Sequence, residues 1–103
     1  MWYAANLLFK STHSPSTDDE LWEESIRLIQ AESKELALKT AQFIGTNEKV
    51  AYVVKGCDEV TWEFVQVERV FEIDDEQLIN GSELFSRFLR KSEVESLLKP
   101  FED

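Results

Sequence analysis

The groups in this chain best suited to chemistry are one histidine, one cysteine and several runs of carboxylates. His13 lies beside Ser14, with Ser16, Asp18 and Asp19 following shortly after. Those residue types can form a nucleophilic triad, but a triad needs fixed geometry, normally from distant residues held by a rigid scaffold. A short polar stretch containing Pro15 supplies none, so His13 reads as a solvated loop histidine. Cys57 has Lys55 nearby, which favours the thiolate, and Asp58 and Glu59 beside it, which oppose it. No second cysteine or histidine stands at metal-ligand spacing, and Cys57 reads as an unreactive turn residue. The runs Asp18-Asp19-Glu20 and Asp74-Asp75-Glu76 have the hard oxygen ligands a cation prefers. Neither has the alternation and central glycine of a calcium loop, so both read as solvated loop charge. No catalytic residue and no metal ligand is assigned, and no cofactor is expected.

More informative are charges inside segments that read as strands. Glu24 falls in register with Trp22, Ile26 and Leu28, on what should be an apolar face. Glu63 and Arg69 lie in a later strand, and Glu83 and Arg87 in the one expected after it. A carboxylate on a buried face must be paired or protonated, because an unpaired one costs several kcal/mol. Arg87 is in position to pair with Glu24 or Glu63 across strands. Such a pair either fixes strand register or lines a polar pocket on an open sheet face, fit for a cationic or hydroxylated ligand. Trp2, Trp22 and Trp62 are a large aromatic complement for so small a chain. Core packing accounts for them most simply. If the face opposite the main helix is uncovered, Trp62 with Phe64, or Trp2, becomes a candidate interface centre.

The elements that must position these groups follow from the pattern. Residues 1–103 are long enough for one domain with a modest core. The hydrophobic fraction of 43% and aromatic fraction of 12% fit a folded domain and argue against disorder. Trp2 to Lys10 reads as a strand that is central or covered on both sides, with Tyr3, Ala5, Leu7 and Phe9 on one face and Trp2, Ala4 and Leu8 on the other. Ser11 to Glu20 reads as a loop. Leu21 to Ala31 is ambiguous. A capping box at Thr17 and helical spacing of Trp22, Ile26 and Ile29 favour a helix, but that helix would run unbroken to Ile44, too long for a small domain. A strand is therefore expected. Ser33 is an expected N-cap for a helix with Leu36, Ala37, Thr40, Ala41 and Ile44 along one stripe and Gly45 as its stop. Lys49 to Lys55 reads as a third strand and Lys55 to Glu59 as a turn. Thr61 to Ile73 reads as a long fourth strand with a bulge near Val67 to Val70. Asn80-Gly81 marks a turn, Glu83 to Leu89 reads as a fifth strand, and Ser92 opens a short helix with Val94, Leu97, Leu98 and Phe101 on its apolar side. The predicted architecture is α+β: a mostly antiparallel five-stranded sheet, in chain order ββαβββα, with one main helix on one face and a short C-terminal helix.

Several of these residues together resemble a known family. The start Trp2-Tyr3-Ala4-Ala5 with Leu7-Leu8-Phe9 comes first, followed by Trp22-Glu23-Glu24-Ser25-Ile26 leading into Ala31-Glu32-Ser33 and an alanine-rich helix. Trp62-Glu63-Phe64 and Asn80-Gly81-Ser82-Glu83-Leu84-Phe85-Ser86 complete the pattern. It is similar, over nearly the whole chain, to a small family catalogued as domain of unknown function 4288. The resemblance implies a small, stand-alone bacterial protein and brings no activity, cofactor or catalytic residue with it.

Net charge bounds the partners. The chain carries 21 acidic and 11 basic residues, a formal charge of -10. Such a chain is repelled by phosphate backbones and anionic lipid, and its basic residues are scattered apart from a small cluster at Arg87 to Lys91, so nucleic acid is not an expected partner. No apolar run spans a membrane, the N-terminus lacks the basic region of a secretory signal, and a lone cysteine suits a reducing compartment, so a cytoplasmic location is expected. The leading expectation is a non-enzymatic acidic interaction module that binds another protein, or itself as a homodimer. One version is an inhibitor or immunity-like factor against a basic partner, with association steered by charge. The alternative is a small-ligand-binding protein or minor enzyme built on the strand carboxylates. The candidate residues are Glu24, Glu63, Arg87, Trp62 and Trp2.

Overall fold

The structure is a computed structural model that describes residues 1–14, 21–48, 50–54, 58–74 and 76–99. Four strands and two helices follow in the order β1 (Trp2–Ser14), β2 (Trp22–Gln30), α1 (Lys34–Asn47), β3 (Val50–Val54), β4 (Asp58–Ile73) and α2 (Lys91–Leu98). The sheet order is β2-β1-β4-β3, with every neighbouring pair antiparallel.

β1 is the central strand because its residues are apolar on both faces, as expected. Its odd-numbered residues Tyr3, Ala5, Leu7 and Phe9 form the main core with Ile29, Val70 and two alanines of α1, Ala37 and Ala41. Ala4 and Asn6, on the opposite face, are equally buried. Directly paired residues of antiparallel strands share a face. The face opposite α1 therefore reads in rows: Trp2, Gln30 and Ile73; Ala4, Leu28 and Phe71; Asn6, Ile26 and Arg69; Leu8, Glu24 and Gln66; Lys10, Trp22 and Glu63.

β2 is a strand, in keeping with the length argument against a helix there, and its register with β1 runs unbroken from Trp2↔Gln30 to Lys10↔Trp22. The β1–β4 register slips twice, between Asn6 and Leu7 and between Leu8 and Phe9. The first slip makes Glu68 the extra residue, inside the expected bulge region, and the second makes Val65 extra. Each bulge returns the following residues to the correct face, so both Val70 and Phe64 point toward α1.

Several sequence expectations are corrected. The sheet has four strands, not five. The segment expected as the fifth strand, Glu83 to Leu89, is extended but enters no ladder. Its Phe85 instead packs edge-on to Phe71, with centroids 5.7 Å apart, so the segment is held across the sheet face by side chains. Of the seven residues only Phe85 is partly buried and the rest are exposed, so the β-prone composition is not matched by a strand's burial. The expected loop at Ser11 to Glu20 starts too early: β1 continues to Ser14, pairing with β4 as far as Glu59. Asp58 and Glu59 belong to β4, and not to the expected turn. The rest of that turn, Cys57 and residues 15–20 of the His13 stretch lie outside the described residues.

Ser33 caps α1 as expected, its Oγ accepting a hydrogen bond from the Leu36 N–H at 3.2 Å. Gly45 is not the stop. It lies within α1, buried, where a Cβ would stand 2.8 Å from Phe64 Cγ. Ala37, Ala41 and Gly45 are the buried residues of α1, and their small size brings the helix close to the sheet. Leu36 and Thr40, expected on that stripe, are exposed. The Asn80-Gly81 turn forms as expected: Gly81 has φ 94°, favoured by glycine, and the Ser82 N–H donates to the Ile79 carbonyl at 3.0 Å.

α2 begins one residue before Ser92. The Glu93 carboxylate accepts from the Arg90 N–H at 3.0 Å, so the reciprocal half of a capping box is present with Arg90 at the cap position. None of its residues is buried, and none of its Cα atoms comes within 8 Å of a strand or of α1 among the described residues. The radius of gyration is 16.5 Å, above the ~13 Å of a compact domain this size.

Candidate functional site

The sheet face opposite α1 holds a buried polar side chain with charged neighbours. Asn6 is fully buried in the middle of β1. Its Nδ2 donates to Glu24 Oε2 at 3.2 Å, one row away on β2. Arg87, delivered by the segment after the Asn80-Gly81 turn, places Nη1 4.0 Å from the same Glu24 oxygen. Arg69, in register with Asn6, and Arg87 flank the Phe85 ring, with guanidinium carbons 5.7 and 5.8 Å from its centroid. Phe85 is therefore a wedge against Phe71 that holds two cations beside a carboxylate. Glu24 and Arg87 remain about a third exposed, so their ion pair contributes at most about 1 kcal/mol. It serves to orient the arm more than to stabilise it.

The buried Asn6 Oδ1 accepts no hydrogen bond from any described residue. An unpaired buried carbonyl costs ~1–3 kcal/mol, and this one belongs to the residue whose Nδ2 donates to Glu24.

Of the sequence candidates, the structure thus brings Glu24 and Arg87 together. Glu63 lies on the same face two rows from Asn6, exposed and opposite Lys10. Lys10 in turn places its Nζ 6.0 Å from the Trp22 ring centroid. Trp62 faces α1 and packs against the main core. Trp2 is at the far end of the opposite face, lining a cavity of about 400 Å³ with Gln30, Glu72, Asp74 and Glu76. Asn6 and Phe85 were missed as site residues. An asparagine in the middle of an apolar strand was the available signal for the first, and nothing local marks the second.

A second feature is the outer strand. Trp22, Ile26 and Leu28 are 53%, 52% and 51% exposed, and with Glu24 they form the outward row of β2. On the α1 side of β2, Arg27 makes a bidentate ion pair with Glu48 at the end of α1, at 2.7 and 2.6 Å. Hydrogen bonding to Arg27 holds the Glu48 carboxyl below its usual range and, reciprocally, raises Arg27. Burial, with Glu72 and Glu35 nearby, pushes the Tyr3 hydroxyl up, so it stays neutral.

Among the described residues, no group of three His, Cys, Asp or Glu side chains comes together as a metal site, and no helix is long and apolar enough to cross a membrane. No curated protein matches the chain, and no solved structure matches it. The family model described as Domain of unknown function (DUF4288) matches residues 2–86, from the start of β1 through the Phe85 wedge, and the chain belongs to that family.

Proposed function

We propose that this chain is a non-enzymatic protein-interaction module whose contact surface is the outward side of β2. The observation that carries the reading is the half-exposed row Trp22, Ile26 and Leu28 on an edge strand. Three large apolar side chains in one row, interrupted by a carboxylate, fit the apolar centre and charged rim of an interface. A net charge of -10 favours a basic protein as a partner and makes its capture salt-sensitive. Capture from a lysate at low and high salt, by the native chain and by a Trp22→Ser/Ile26→Ser variant, tests this. A basic protein held at low salt, released at high salt and lost with the variant is the expected result. Equal capture by the variant removes β2 as the surface.

A second reading, a small-ligand site, is favoured by one observation: the unpartnered Asn6 Oδ1 beside Glu24 and Arg87. Under this reading Arg87→Ala weakens ligand binding while leaving the protein partner untouched.

A further inference from the structure

We infer that the outer edge of β2 pairs with the same edge of a second copy, antiparallel about a two-fold axis at Ser25, to make one continuous eight-stranded sheet. This rests on the reading of β2 as the contact surface and names its occupant.

The first argument is the edge itself. β2 is paired on one side only, by β1. Its nine residues contain no proline, no lysine and no bulge. Those are three of the devices by which edge strands avoid pairing with another chain; the charges β2 does carry, Glu23, Glu24 and Arg27, are of both signs. No backbone hydrogen bond joins its outer side to any other described segment. On the opposite side of the sheet β3 has only five residues, and β4, which forms that edge beyond Trp62, is interrupted by its two bulges.

The second argument is self-complementarity, which selects the register. Antiparallel neighbours in one sheet place residues of the same face opposite each other, so only alternate registers are possible. Centring on Glu24 sets two carboxylates against each other, and centring on Arg27 sets two guanidinium groups against each other. Both are destabilising. Centring on Ile26 opposes Glu24 to Leu28 and Glu23 to Ile29, with no charge paired. Centring on Ser25 opposes Glu23 to Arg27 twice on the α1 side. On the outward face it opposes Trp22 to Leu28 twice and Glu24 to Ile26 twice, so its advantage over the Ile26 register is the two Glu23–Arg27 pairs. Opposite charges and aromatic–aliphatic pairs are the favourable cross-strand combinations. Arg27 retains guanidinium hydrogens beyond those given to Ser25 Oγ and Glu48. The axis stands perpendicular to the sheet, so both α1 helices lie on one face.

The charge of the whole molecule sets the salt dependence. Two copies at -10 repel over tens of ångströms, and salt screens that repulsion far more than the direct contacts. Self-association therefore strengthens with salt, the opposite sign to capture of a basic protein.

The test is sedimentation equilibrium of the full chain at low and high salt, combined with disulfide trapping in a Cys57→Ser background. A reversible dimer that tightens with salt is expected, and Glu23→Arg weakens it by at least about ten-fold, because both copies lose a pair and gain a repulsion. Opposed residues across the axis lie ~4.5–5.5 Å apart, within disulfide reach. Ser25→Cys therefore cross-links quantitatively and Ile26→Cys does not. Ser25 and Ile26 are both partly exposed, so neither substitution removes a side chain from the core. A monomer at every concentration overturns the proposal, as does trapping through Ile26→Cys in place of Ser25→Cys. If the chain is monomeric and the Trp22→Ser/Ile26→Ser variant still loses a captured protein, β2 remains the contact surface but its occupant is not a second copy.

Discussion

Replacing Gly45 with alanine should destabilise this protein even though it improves the helix. Alanine is favoured over glycine inside a helix by ~1 kcal/mol, and that is the most Gly45 could gain, since it lies in the last turn of α1. The added methyl would stand 2.8 Å from Phe64 Cγ and nearer still to Cδ1 and Cε1, where carbon contacts are comfortable only at ~3.5–4.0 Å. Phe64 has little room to retreat, since its ring meets Phe9 edge-on at 5.7 Å and Phe9 is itself buried. Overpacking of this kind costs ~1–3 kcal/mol, and an aromatic ring struck at three atoms belongs in the upper part of that range. The net expectation is a loss of about 1–2 kcal/mol, or a fall in Tm of about 5–15 °C for a chain of this length. Urea denaturation followed by tryptophan fluorescence measures it. Adding Phe64→Leu makes room for the methyl, so the double variant should lose less than the sum of the two single losses. Gly45→Ala at or above native stability would refute the reasoning, since the helix would then have room that the structure denies it.

Two further predictions concern single polar groups. Glu48→Gln should cost about 0.5–1 kcal/mol at pH 7, the upper range for a half-exposed bidentate pair. Because Arg27 lowers the Glu48 carboxyl, that contribution is present above the ordinary value of 4.5 and is lost as pH falls through and below it. Urea titrations at pH 7 and pH 3 should therefore show a gap that closes, and an unchanged gap would count against the pair. Asn6→Leu should change stability by no more than about 1 kcal/mol, because removing a buried carbonyl without a partner offsets the loss of the Nδ2 hydrogen bond to the part-exposed Glu24. A larger loss in the same assay would mean that no such offset exists and that Oδ1 is satisfied.

The sequence alone was enough for elements whose signal is local. Tyr3, Ala5, Leu7 and Phe9 alternate with Trp2, Ala4 and Leu8, and that double-sided apolarity requires a covered, central strand. Ser33 before an alanine-rich stripe determines where α1 starts, since its hydroxyl satisfies an amide the helix leaves open. Gly81 follows Asn80 where the backbone needs a positive φ. In each case the cause lies within a few residues of the effect. Tertiary structure decided the rest. Gly45 looks like a helix stop because glycine ends helices, yet its role comes from Phe64, nineteen positions later in the chain. Glu83 to Leu89 has the composition of a strand, and only the position of Phe71 turns it into a side-chain wedge. Glu24 and Arg87 were legible as charges in want of partners. Their pairing, and the asparagine beneath them, depend on strand register, which a single residue of slippage would reverse. The β1–β4 register slips twice, and those bulges decide which residues of β4 share a face with Asn6.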